Sequence, residues 1–432
     1  MKTMFIRVLP LLCVFCLPQY VYAGTKSNDS FVFERQQGRG YVGVVQHCLM
    51  RKDSNGVLIP RVIVDDNQIA VLNDTGTIEK TITIHNANTK DERVHVYQGK
   101  FGKTLGVQIT RGYSSTQESW TSGEYYILNE NGEKTLDLKK FDDNTRPIPS
   151  PSGDYAVGWP EEGTPGGPPI FYDANGIRNK WAHGFSGEGW PKMYGTFDAT
   201  FSPDGKYVAI LAGNGDAAEN PMMIVYDAHG NKLFEKMGAS KGFLFSPDAS
   251  RIAYYSATDQ KLGMVGIDGR QLWETSLQVL PRVFSADGSL LLTMTTNSIA
   301  VINAVTGKLV WEWKADTNNL KGQSFPRGPH SWDGFVLGSV AATPDFSRVI
   351  ATAATLKDTP VIPGKPQLHA VSDRNHLLVF NKDGHLIHWE DFSKDNFQLP
   401  SAQIGISNDG NNITILMNNG IVSFSLKKGD FK

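Results

Sequence analysis

Cysteine is scarce here, and its placement excludes more than its number does. Three cysteines occur in 432 residues, and Cys13 and Cys16 both fall in an apolar run at 8–17. Lys2 and Arg7 precede or border that run, Pro18 breaks it, and Val21-Tyr22-Ala23 offers small residues at the cleavage positions. This is the layout of a signal peptide, so 1–23 is expected to be removed after Ala23 during export to a periplasm or to the outside of the cell. Neither Cys13 nor Cys16 follows the small residues of a lipid-attachment site. Only Cys48 then remains, which excludes an intramolecular disulfide, and in the apolar run 44–49 it reads as a small buried hydrophobe. A long apolar run is missing too: 8–17 is short of the about 20 residues a membrane span needs, so no direct membrane insertion is expected after processing. Charge of one sign is also absent. With 42 basic and 44 acidic residues the formal net charge is -2, which leaves neither a basic footprint for nucleic acid nor a polyacidic tail.

What is present is a pattern written three times between 197 and 315. TFDATFSPDGKYVAIL is followed by MMIVYDAHGNKLFEK, KGFLFSPDASRIAYYS by KLGMVGIDGRQLWETS, and PRVFSADGSLLLTMT by SIAVINAVTGKLVWEWKA. Each copy holds four short β-type runs, with one turn after the first run and another after the third. Ser202-Pro203-Asp204-Gly205 suits a tight turn, since Pro presets φ, Asp bonds its own backbone and Gly accepts positive φ. Residues 207–211 are apolar and partly β-branched, as in a strand buried on both faces. A four-stranded sheet with two apolar faces cannot cover itself. Stacking against copies of itself solves the problem, and a four-strand repeat of about 40 residues is the β-propeller signature.

The pattern extends, more loosely, through most of the chain. Units are expected at 41–84, at about 94–140, from Pro149-Ser150-Pro151-Ser152-Gly153 onward, in the three clear copies, and at 341–384. The end of the chain, 404–426, supplies three strands and lacks a fourth, for which 31–34 is the candidate closing strand. The fold class is therefore all-β: residues 24–432 form a single β-propeller of about eight four-stranded blades, ring closed by an N-terminal strand. Seven blades result if 41–84 shares one blade with the tail. An aromatic residue stands four places after the turn glycine in three outer strands, Phe234, Trp273 and Trp311, and packing between adjacent blades is the role expected of these rings.

The segment 300–311, AVINAVTGKLVW, resembles the tryptophan-docking repeat of quinoprotein-like (PQQ-type repeat) propellers, and the SPDG turns resemble those of WD40-like and TolB-like propellers. The resemblance implies the architecture and leaves the chemistry open, because these superfamilies include dehydrogenases, assembly scaffolds, lyases and lactonases. Quinoprotein alcohol dehydrogenases carry adjacent cysteines over their cofactor. This chain has no such pair and no C-x-x-C-H haem attachment, so no cofactor is expected.

Spacings that imitate chemistry have plainer explanations. Gly238-Ala239-Ser240-Lys241-Gly242 fits G-x-S-x-G, but it joins two strands and no helix follows, so it reads as a connector. His385 and His388 stand three apart on a strand and would point to opposite faces, unsuited to one metal ion. The sequons at Asn28, Asn73 and Asn412 matter only in a glycosylating host.

The informative departures are the insertions at 159–169, 181–194, 318–334 and 357–369. In a standard blade these leave from connections on one face, so all four are expected to rim one surface. The binding candidates within them are Trp159, Trp181, His183, Trp190, Tyr194, Phe325, Arg327, His330 and Trp332, aromatic and cationic types that dominate interface energetics. No catalytic or metal set is expected. The expectation is an exported, non-catalytic propeller that recognises a protein, peptide or glycan through this face. The alternative is a propeller enzyme of lyase, lactonase or hydrolase type acting at the central channel, with His183, Glu188, Arg327, His330 and Asp333 as its polar groups.

Overall fold

The computed structural model describes residues 23–25, 32–34, 48–52, 58–65, 68–72, 78–83, 92–98, 104–114, 119–129, 131–141, 145–160, 170–180, 194–214, 219–239, 242–315, 334–357, 371–391, 403–406, 410, 412–417 and 420–425. Among these the strands make seven four-stranded sheets, one three-stranded sheet and one two-stranded pair. In chain order the four-stranded sheets cover 48–83 (sheet I), 92–141 (II), 145–180 (III), 194–237 (IV), 244–275 (V), 280–314 (VI) and 334–391 (VII), and the three-stranded sheet covers 403–425 (VIII). Every sheet is an antiparallel meander whose strands pair in sequence order. No helix among the described residues is long and apolar enough to cross a membrane.

Period-2 alternation decides how the sheets stack. On the strand Tyr207–Asn214 of sheet IV, Val208, Ile210 and Ala212 join one apolar cluster with Val157 and Phe171 of sheet III. Their neighbours Ala209 and Leu211 face the other way, into a cluster with Phe243, Phe245, Ile252 and Tyr254 of sheet V. The same double-sided burial recurs between II and III, V and VI, and VI and VII. Each fully buried aliphatic side chain stabilises the stack by about 1.5–3 kcal/mol, which a solitary sheet exposed on both faces would forgo. The first strands of successive sheets are mutual neighbours, Leu280–Phe284 lying between Leu244–Phe245 and Gly334–Ala342. The first strands therefore gather about the axis and the fourth strands form the rim. This is an all-β propeller.

Two repeated contacts lock neighbouring sheets. The aromatic rings four places after the turn glycines do pack between sheets, each against the turn glycine of the next one. A Cβ on Gly269 would lie 2.8 Å from the Phe234 ring, one on Gly307 2.8 Å from Trp273, and one on Gly384 2.6 Å from Trp311. Trp273 also donates its indole N–H to the Ala304 carbonyl at 2.9 Å. Nearer the axis, the residue that opens a second strand reaches the first turn of the following sheet. Arg251 donates to Gly288 O at 3.0 Å, and Arg348 to Gly410 O at 2.6 Å.

At the ring's ends the pattern changes. Residues 48–83 form a sheet of their own, separate from the three strands of 403–425. The candidate closing strand is present as Val32–Glu34, but its recorded partner is Ala23–Thr25, antiparallel. It also lies beside Gly420–Ser425, the last strand of sheet VIII.

Candidate functional site

The two faces of the wheel differ in how they are built. One carries the turns between first and second strands and between third and fourth strands. In sheets III to VII these are short and internally hydrogen-bonded. In sheet IV the Ser202 hydroxyl donates to Asp204 Oδ1 at 2.7 Å, and the amide of Tyr207 donates to Ser202 Oγ at 3.0 Å. Gly205, at φ 73°, closes the turn through its amide to Ser202 O at 2.9 Å. Sheets V and VI repeat this with Ser246–Asp248 and Ser285–Asp287. The Ser285 hydroxyl, joined by the amide and hydroxyl of Ser289, pulls the Asp287 carboxyl down to about 2. Burial alone would raise Asp204 and Asp248, but donors led by Ser202 and Ser246 outweigh it and both lie below the usual carboxylate range. Carboxylates satisfied in this way hold turns together.

The opposite face carries the connections from second to third strand and from fourth strand to the next first strand. The four insertions that sequence patterning singled out belong to such connections, 161–169 and 358–370 between second and third strands and 181–193 and 315–333 between fourth and first strands, as does 392–402 between sheets VII and VIII. Most of the residues that sequence patterning selects for binding, Trp181, His183, Trp190, Phe325, Arg327, His330 and Trp332, lie outside the described residues. Trp159 falls in the strand Tyr155–Pro160 and Tyr194 opens the strand Tyr194–Phe201, both at the ends that lead to insertions. Their side chains are outside the description.

Beneath this face, between sheets VI and VII, lies an aromatic cluster that sequence reading missed. Phe335 follows 315–333, and its ring stacks on His376 with centroids 5.9 Å apart at 25°. Trp389 lies 5.0 Å from His376 and 5.5 Å from Phe335. Trp313 packs edge-on against Phe335 and Phe380, at 6.1 and 5.2 Å. His376 is only 3% exposed and Trp313 5%. On the same side of sheet VII the Thr355 hydroxyl is buried with no hydrogen-bond partner recorded. Register explains the grouping: Phe335 pairs with Thr355, Ala353 with His376 and Leu378 with Trp389, so alternate residues of four strands meet on one side. A signal was available in Trp311-Glu312-Trp313, where two rings at spacing two share a face. The cluster pins the chain where it emerges from 315–333, and it holds the sheet VII strands that border 358–370.

The remaining motifs take structural roles. Gly238 and Gly242, at φ 78° and 109°, flank the connector between sheets IV and V, and Ala239 bridges to Ser256. His385 sits in a turn, its amide donating to Asn381 Oδ1 at 2.9 Å, while His388 pairs with Val379 within a strand. Among the described residues no three His, Cys, Asp or Glu gather as a metal-binding set.

The class that this architecture defines is the β-propeller. The C-terminal WD40 domain of Sif2 is similar in structure, with a TM-score of 0.53 over 90% of this chain and 100% of that one, at 12% identity. BamB from Moraxella catarrhalis is similar at a TM-score of 0.47 and 11% identity, covering 88% of this chain and 96% of that one. The dihydro-heme d1 dehydrogenase NirN, in complex with DHE, has a TM-score of 0.46 and 15% identity, covering 88% and 70%. No family model matches the chain, and no curated protein matches it in sequence. Likeness at such identities concerns the fold alone.

Proposed function

We propose that this chain is an exported, non-catalytic propeller that binds a protein or peptide through its insertion-bearing face, with 1–23 directing export. One observation carries the reading: 161–169, 181–193, 315–333 and 358–370 all interrupt the meander on the same side, while in sheets III to VII the opposite side keeps short closed turns. Long loops on a rigid scaffold are the usual seat of recognition. The insertions are rich in the residues suited to it, with Trp181, Trp190, Phe325, Arg327 and Trp332 among them. Fold does not choose between binding and catalysis here, since a dehydrogenase stands among the similar structures.

The test is affinity capture from the exported fraction of the native cells with three baits. These are the chain from Gly24, the same chain with 315–333 replaced by a short Gly-Ser linker, and a control with Asp248→Asn on the turn face. A partner that is held by the first and third baits and lost by the second supports the proposal. Identical recoveries from the first two, with circular dichroism showing both folded, remove that insertion from the binding face.

A further inference from the structure

We propose that Arg282 forms an anion site at the axis of the propeller, where it takes the carboxylate or phosphate group of a ligand entering the channel. The inference stands apart from the insertion-face reading and survives its failure.

Arg282 lies in the first strand of sheet VI, Leu280–Phe284, on the side of the sheet that faces the axis. It is a bulge residue. Pro281 pairs with Thr293 and Val283 with Leu292, so Arg282 is left without an opposite number on the second strand. A bulge re-aims the side chain it carries, and bulges concentrate at barrel rims and beside active sites. The first strands of sheets IV and VII bulge as well, but the residues there are Phe197, Gly338 and Ser339, none of them charged. In the first strands of sheets V to VIII, Arg282 is the one charged residue, whereas those of sheets I to IV carry Arg51, Lys52, Glu92, Arg93, Arg146 and Asp198.

Two further facts suit Arg282 to an anion. Arg282 is exposed to solvent, yet desolvation by surrounding protein lowers its pKa. A group reached by water and still hemmed in by protein is a group lining a concave space. Among the described residues no hydrogen bond or ion pair is recorded for it, and desolvation is what lowers its pKa. The first strands on either side, Leu244–Phe245 and Gly334–Ala342, contain no acidic residue at all. A guanidinium stays charged at neutral pH, and its planar fork matches carboxylate and phosphate oxygens two at a time. Holding such a charge partly desolvated and unpaired costs stability, which is the expected signature of a group kept for a ligand.

The experiment is a thermal-denaturation titration of the full processed chain with sodium phosphate and, separately, sodium acetate, ionic strength being held constant with sodium chloride. The variants are Arg282→Gln and Arg282→Lys. In chloride alone, R282Q is expected to melt at the same temperature as the parent or higher, because it removes an uncompensated charge. Phosphate or acetate is expected to raise the parent's midpoint saturably, with apparent affinity falling about tenfold or more in R282Q and less in R282K. Saturation by phosphate only assigns a phosphoryl ligand, and saturation by acetate only assigns a carboxylate. A lower midpoint for R282Q in chloride overturns the proposal in favour of a structural arginine. An anion response identical in R282Q, or none in the parent with either anion, overturns it as well. The Arg282 Nε–H resonance of the parent, followed through both titrations, gives the answer even if a variant fails to fold.

Discussion

Ala249 and Phe346 adopt φ of 58° and 55°, in first turns where sheets IV and VI place Gly205 and Gly288 at 73° and 70°. The left-handed region costs a residue with a Cβ about 1–2 kcal/mol, and burial of Phe346 in the core between sheets VI and VII holds that strain in place. Ala249 has no such anchoring ring. Ala249→Gly is therefore expected to leave stability unchanged or raise it by up to about 1 kcal/mol, whereas Gly205→Ala lowers it by about 1 kcal/mol. Urea midpoints at constant m-value check both. Sequence reading identified these turns from Pro, Asp and Gly, because turn chemistry is local. It could not tell that Ala249 would be forced into the conformation of the glycine it replaces.

The contact between a rim ring and the next sheet's turn glycine governs the element scale. Trp311 stacks on Phe380 at 6.2 Å and lies against Gly384, joining sheets VI and VII. Trp311→Ala is expected to cost about 3–5 kcal/mol. Leu272→Ala, on an equivalent rim strand but 46% exposed, should stay within about 0.5 kcal/mol. Because each sheet touches only its neighbours, the loss at Trp311 should appear locally. Amide exchange should quicken in 280–314 and 334–391 while 145–180 is unaffected. Equal acceleration throughout would mean that the wheel opens as one unit. The spacing of four from glycine to aromatic was legible in the chain. The partner glycine was not, since it lies some 35 residues or more further along and is chosen by stacking (Gly269 for Phe234, for instance).

At the scale of the whole molecule the two ends of the chain meet, Val32–Glu34 lying beside Gly420–Ser425. A chain beginning at 37 should therefore melt several degrees below one beginning at Gly24 if that strand helps to hold the ring. Equal midpoints would reject a closing role. Periodicity along the chain by itself determined the all-β class, the four-strand unit, the turn positions and the side on which the insertions leave. Each of these follows from alternation, turn chemistry and chain direction, which are properties of neighbours in sequence. Tertiary structure alone decided that His376 would lie among Phe335, Trp313 and Trp389, and that Arg282 would stand as a bulge residue in the axial strand of sheet VI. A strand's pattern says which residues share a face; only the stacking of one sheet on the next says what that face meets.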